Sequence, residues 1–251
     1  DGSIEFNLGK TASDSSDIKW GENNDEIFYI KKSKGESLIN SFNLTTKEEK
    51  SILKEKEITV FIIKAGRLYY ISRGLARSDF KAAEISSGKI ISSIELPYSS
   101  EYEFINPAQE LINLIDKKHQ TLYLISPFSQ FPLKETINNV KYTDWNEGGK
   151  LLYGNEFEIW LFDLNSRQNT LLTRISETIN NIFWHPNNNY IIYSTGDTVN
   201  ALELDDREKR NLTEIVRLDK ISDIFLNKKG DALYFVSQIG NEEGLFKLII
   251  Q

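Results

Sequence analysis

The feature that most constrains this chain is a phrase that returns six times: an aromatic or apolar anchor, a short polar turn, and a hydrophobic run that usually ends in Tyr. It reads WGENNDEIFYI from Trp20, FIIKAGRLYYI from Phe61, INPAQELINLI from Ile105, WNEGGKLLYG from Trp145, WHPNNNYIIYS from Trp184 and FLNKKGDALYFV from Phe225. Successive anchors stand 41, 44, 40, 39 and 41 residues apart. A period near 40 with several short strands per unit is the sequence signature of β-propeller blades. The expected fold is therefore all-β: a six-bladed β-propeller of four-stranded antiparallel blades, with residues 1–251 forming a single propeller domain.

Within a repeat, alternating apolar residues mark the strands. The fifth repeat gives NNIFW, YIIYS, TVNALEL and KRNLTEI, separated by HPNNN, TGD and DDRE. Those connectors are rich in Asn, Asp, Gly and Pro, the residues that tolerate positive φ or preset a turn. The sixth repeat yields only ISDIFL, ALYFVS and GLFKLII before the chain ends, so its fourth strand is missing. A surplus strand lies at the other end, where SIEFNL (Ser3 to Leu8) alternates ahead of the first anchor. Placed beside the sixth repeat, it would close the ring and remove the edges that an open array leaves exposed. Thr11 to Ser16, TASDSS, reads as the polar crossing from that strand into the first blade.

Two units carry a family resemblance. FWHPNNNYIIYS followed by LELDDREKRNLT, and DWNEGGKLLYG followed by WLFDLNSRQNTLLT, resemble the WD-repeat-like blades of TolB-type propellers, with their Trp-Ser-Pro-Asp-Gly turn, strand, Asp-Leu turn and Leu-Thr. His185 stands where the family has Ser, Asn187 and Asn188 replace Asp-Gly, and the third repeat keeps little beyond Asn106 and Pro107. Similar propellers occur as the periplasmic lipoprotein-binding TolB component, beside PEGA domains in bacterial surface proteins, and as the noncatalytic half of prolyl peptidases. The resemblance thus implies binding or gating, an extracytoplasmic location in the periplasm or at the cell surface, and a protein or peptide partner.

Composition narrows the partners. With 30 Lys plus Arg against 37 Asp plus Glu, the net charge of -7 repels phosphate backbones, so nucleic acid is not expected. No apolar stretch approaches the roughly 18 to 20 residues that span a bilayer, so direct membrane insertion by this segment is not expected either. Cys and Met are both absent, which removes disulfides, thiolate metal sites and a cysteine nucleophile. An opening at Asp1 without Met is what a processed or excised segment would have, so a signal peptide, a membrane anchor or a neighbouring domain is expected outside it. A monomer is the expected state.

Chemistry finds little support. The two histidines, His119 and His185, fall in turns of different repeats, and without Cys they do not make a zinc site. Gly9, Lys10 and Thr11 lack the Gly five positions earlier that a phosphate-binding loop needs, since Ile4 stands there. There is no G-x-S-x-G elbow, and the acidic pairs Asp205–Asp206 and Asp25–Glu26 lack calcium-loop spacing. No catalytic residue, metal or cofactor is expected. One anchor per repeat at one strand position reads as core between blades, not as a sugar platform. Binding is expected at the channel rim, on the residues leading into the anchors: Asp17, Tyr102, Glu103, Tyr142, Asn181 and Asp223 are polar or aromatic where a buried sheet does not require it. The alternative expectation is a propeller that gates or carries the active site of a hydrolase.

Overall fold

The computed structural model describes residues 15–105, 110–205, 207 and 209–250. Regular structure among them is entirely β, with 23 strands in six antiparallel sheets. The first sheet holds β1–β4 (Ser15–Trp20, Glu26–Ser33, Glu36–Asn43, Glu49–Glu55), and the second β5–β8 (Ile58–Lys64, Arg67–Arg73, Arg77–Glu84, Ile90–Pro97). The third holds β9–β12 (Tyr102–Ile105, Ile112–Asp116, Thr121–Ile125, Leu133–Ile137). β13–β16 (Tyr142–Trp145, Lys150–Gly154, Glu158–Asp163, Gln168–Arg174) and β17–β20 (Asn181–Trp184, Tyr190–Ser194, Thr198–Glu203, Leu212–Arg217) follow. The last sheet has three strands, β21–β23 (Ser222–Leu226, Ala232–Ile239, Glu242–Ile249). In every sheet the strands lie side by side in chain order, each hairpin folding back on its predecessor, as the turn residues require.

Two compact units divide the chain, Asp1–Ile137 and Asn138–Gln251. Each contains three sheets, and in each the core lies between successive sheets. In the first unit, Tyr69, Ile71, Phe80 and Ala82 of the second sheet pack with Tyr102, Ile112, Leu114 and Ile125 of the third. In the second unit, Leu152 and Ile159 of the fourth sheet meet Ile182, Trp184, Ile191 and Leu202 of the fifth. A strand whose two faces are both covered should read as a continuous apolar run. β10 (INLID) and β11 (TLYLI) do so and are buried along their whole length.

The strand inventory agrees with the repeat-by-repeat reading, and two anchors depart from it. Phe225 is not the structural anchor of the sixth repeat. Leu226 faces Leu233 on the last rung of its hairpin, the place that Trp184 takes opposite Ile191. Phe225 therefore points to the other face, stands 49% exposed, and stacks on Tyr234. Trp20 keeps the anchor rung, opposite Ile27, but is 61% exposed, against 8% for Trp184. Ser15 and Ser16 belong to β1 and not to a linker. The closing strand expected from Ser3 to Leu8, like Gly9 to Thr11, lies outside the described residues.

Candidate functional site

The six residues expected at a binding rim all lie on first strands of their sheets: Asp17 on β1, Tyr102 and Glu103 on β9, Tyr142 on β13, Asn181 on β17 and Asp223 on β21. Their side chains divide into two groups. Tyr102 is buried, its hydroxyl donating to Pro97 O at 2.8 Å, and burial pushes that phenol well above its ordinary range. The Tyr142 hydroxyl donates to Ile179 O (2.8 Å), and Asn181 Nδ2 donates to Ser194 Oγ (3.3 Å). These three have their polar atoms turned into their own unit. Glu103 is exposed and paired with Lys117, and Asp223 is exposed at the start of β21.

Asp17 has a mechanical role. It sits at φ 49° in a bulge of β1, and its Oδ2 accepts the Phe61 N–H (3.2 Å) of the next sheet's first strand. Asp can occupy this left-handed region at modest cost because its short polar side chain bonds locally. Asp144 repeats the contact in the second unit, with Oδ2 accepting the Trp184 N–H at 2.8 Å while Trp184 Nε1 donates to Asp144 O at 3.2 Å. The Glu22 carboxylate accepts from Ala65 N–H and, at 2.8 Å, from Gly66 N–H. An acidic side chain on one sheet thus satisfies backbone donors on the next, about one repeat further along. Asp223 shares the Ser-Asp-Ile motif of Asp17, its bulge and its positive φ of 46°. For Asp17 and Asp144 the signal was in the sequence, as an Asp three residues and one residue before the end of a first strand.

Both histidines are tied down. His185 Nε2 lies 3.1 Å from Gly230 O and donates to it, while Nδ1 accepts the Asn187 N–H at 3.3 Å. With both ring nitrogens engaged, the imidazole is a brace between two turns. His119 Nδ1 lies 2.6 Å from Asp116 Oδ2, and Ser99 Oγ donates to Asp116 Oδ1 at 2.7 Å. The carboxylate stands between Ser and His, so the imidazole is not placed to take the Ser99 proton, as nucleophilic catalysis would require. Burial pushes the Asp116 carboxyl up, but the bonds from Ser99, the His119 ring and the His119 N–H outweigh it and hold it below the usual range. Among the described residues no three His, Asp or Glu side chains converge to hold a metal.

A cleft of about 450 Å³ opens in the second unit between the fifth and sixth sheets. Its lining includes the apolar Ile192, Ala201, Ile215 and Ile250 and the polar His185, Lys229 and Asp231. Thr213 and Ile215 in its lining belong to β20, the fourth strand of the fifth sheet, and among the described residues the sixth sheet has three strands.

With this geometry established, comparison with known proteins is informative about the fold. No protein-family model matches the chain, and no curated protein matches it by sequence. Solved structures do. Kluyveromyces lactis Hsv2, in a form with loop 6CD replaced by a Gly-Ser linker, aligns at a TM-score of 0.56 and 13% identity, over 89% of this chain and 74% of that one. A chain of the mitotic checkpoint complex gives 0.56 and 14%, over 97% and 79%. A protein from Lactobacillus plantarum gives 0.51 and 13%, over 90% and 82%. The chain has the all-β fold of WD40-like propeller proteins, and identities this low speak to the fold alone.

Proposed function

We propose that this chain is a noncatalytic propeller scaffold that presents first-strand residues to a protein or peptide partner. Its six sheets are the blades of one ring, closed by Ser3 to Leu8 as the outer strand of the sixth. The observation that carries the reading is the common placement of Asp17, Tyr102, Glu103, Tyr142, Asn181 and Asp223 on first strands, the strands that line the centre of a propeller. Two of them hold exposed carboxylates suited to a basic or amide-bearing ligand, Asp223 and, in exchange for its pairing with Lys117, Glu103. That a similar structure is a chain of a named complex, the mitotic checkpoint complex, is consistent with a scaffold. Three strands in the last sheet among the described residues, the cleft beside it and the exposed Leu245 and Ile249 of β23 support closure by a further strand. The TolB-type blade motifs remain the reason to place such a protein in a bacterial envelope.

The test is selection of displayed linear peptides on the whole protein, followed by titration against a Glu103→Arg, Asp223→Arg double variant. The expected result is peptides rich in Lys or Arg whose affinity falls about tenfold or more in the variant, with an unchanged melting curve. Peptides that bind both proteins alike would remove the rim from the reading.

A further inference from the structure

The third sheet's last hairpin is unlike the others. The loop SPFSQFP, from Ser126 to Pro132, joins β11 to β12 and holds two Phe outward, Phe128 at 49% and Phe131 at 71% exposure, with Leu133 beside them at 40%. Its backbone is fastened from within: Ser126 N–H donates to Pro132 O (2.8 Å), Ser129 N–H to Ser126 O (3.1 Å), and Ser129 Oγ lies 2.7 Å from Phe131 O. It is also fastened from outside, because Ser92 Oγ on β8 donates to Pro127 O at 2.9 Å. Two prolines restrict the chain further. The two aromatic side chains are therefore carried on an ordered loop, and a ligand that used them would not have to supply the ordering free energy.

A cation completes the surface. The Arg67 guanidinium lies 4.4 Å from the centroid of the Phe128 ring. Arg67 follows the Ala65–Gly66 turn that the Glu22 carboxylate grips, so it too starts from a fixed backbone. Among the described residues it has no carboxylate partner, although the chain carries net charge -7 and most of its other arginines are ion-paired. The nearest carboxylate by strand register, Glu84 opposite Arg67, accepts from Ser87 Oγ. Two exposed aromatic side chains on one fastened loop, with a guanidinium that has no carboxylate partner set against one of them, match a carboxylate next to an apolar side chain, since the guanidinium fork takes a carboxylate bidentately and the rings take the apolar group.

We infer that Phe128, Phe131, Leu133 and Arg67 form a docking surface for a linear segment of a partner protein in which an Asp or Glu neighbours an apolar residue. The inference rests on the binding-scaffold reading and names a second contact surface, opposite in charge preference to the carboxylates of Glu103 and Asp223. Its test is fluorescence titration with twelve-residue peptides from a displayed random library, selected on the whole protein and sorted by charge. Acidic-apolar peptides are expected to lose about tenfold or more in affinity with Phe131→Ala and with Arg67→Gln, and to bind the Glu103→Arg, Asp223→Arg variant unchanged. Both side chains are surface-borne, and Arg67→Gln keeps the probe usable if Phe131→Ala lowers the melting temperature. Acidic-apolar peptides that bind Phe131→Ala and Arg67→Gln as tightly as the parent would overturn the inference, as would failure to select any. Phe131-dependent binding to phosphatidylserine vesicles without any peptide binding would overturn it in favour of a membrane surface. Phe131-dependent self-association in sedimentation, again without peptide binding, would overturn it in favour of a second copy. Basic peptides that never emerge from the selection, or that bind the Glu103→Arg, Asp223→Arg variant as well as the parent, would sink the rim reading, and acidic-apolar peptides that still depend on Phe131 and Arg67 would leave this one standing.

Discussion

Asp144 shows how one side chain can both hold the fold together and strain it. Burial raises its carboxyl above the ordinary range, against the bonds donated by the Trp184 and Trp145 N–H groups. A raised folded-state value means that the charged form is disfavoured on folding, so the penalty is present at neutral pH and fades as pH falls through the raised value. Asp144→Asn keeps an oxygen acceptor for Trp184 without the charge, and is expected to melt at or above the parent at pH 7, with the difference shrinking in acid. Asp144→Ala orphans the Trp184 N–H and should cost about 1 to 3 kcal/mol by urea denaturation. Asp116 has the opposite sign. Its folded value lies below the unfolded one, so its contribution is fully present above about pH 4 and is lost as pH falls through the lower folded value. Asp116→Asn should therefore destabilise by about 1 to 3 kcal/mol at pH 7, and the gap should close in strong acid. A gap that widened in acid would contradict the assignment.

At the scale of elements, the strands were legible in the sequence because apolar alternation and turn residues act locally. The braces between sheets were not, because they depend on which turns meet. Gly230 is the clearest case. It reads as an ordinary turn glycine in NKKGD, yet its φ of 80° coincides with a crowded site, where an added Cβ would stand 2.4 Å from His185 Nε2 and 3.2 Å from Pro186 Cδ. His185 falls in a turn, as the sequence places it, and caps that turn through Asn187, but its other nitrogen crosses to the neighbouring sheet. Gly230→Ala is expected to cost on the order of 2 kcal/mol or more, combining a left-handed backbone with a steric clash. Because part of that clash is with the imidazole, the His185→Ala, Gly230→Ala double variant should be less destabilised than the sum of the singles, which a denaturation cycle measures directly. Strict additivity would mean that the ring moves aside freely. The candidate rim was legible as a set of first-strand positions, but Tyr102, Tyr142 and Asn181 direct their polar atoms inward to partners that no spacing argument could name.

For the whole molecule, the decisive question is how the sixth sheet completes itself. Among the described residues β23 pairs with β22 alone, and Leu245 and Ile249 along it are exposed, 63% and 58%. A strand of eight residues with exposed apolar side chains is a template for association unless something covers its outer edge. SIEFNL alternates as such a cover must, with Ile4, Phe6 and Leu8 on one face and Ser3, Glu5 and Asn7 on the other. Burying three large apolar side chains is worth roughly 5 kcal/mol before the entropy of ordering the strand is subtracted. At about 2 to 4 °C per kcal/mol for a chain of this size, even half of that is visible in a melt. Deleting Asp1 to Lys10 is accordingly expected to lower the melting temperature by about 5 °C or more and to produce concentration-dependent association in sedimentation. Leu245→Lys in the truncated chain should restore the monomer without restoring the melting temperature, since a charge blocks edge pairing but rebuilds no core. A truncated protein that melted with the parent and stayed monomeric would show that the edge needs no cover, and the sixth blade would have to be completed in some other way.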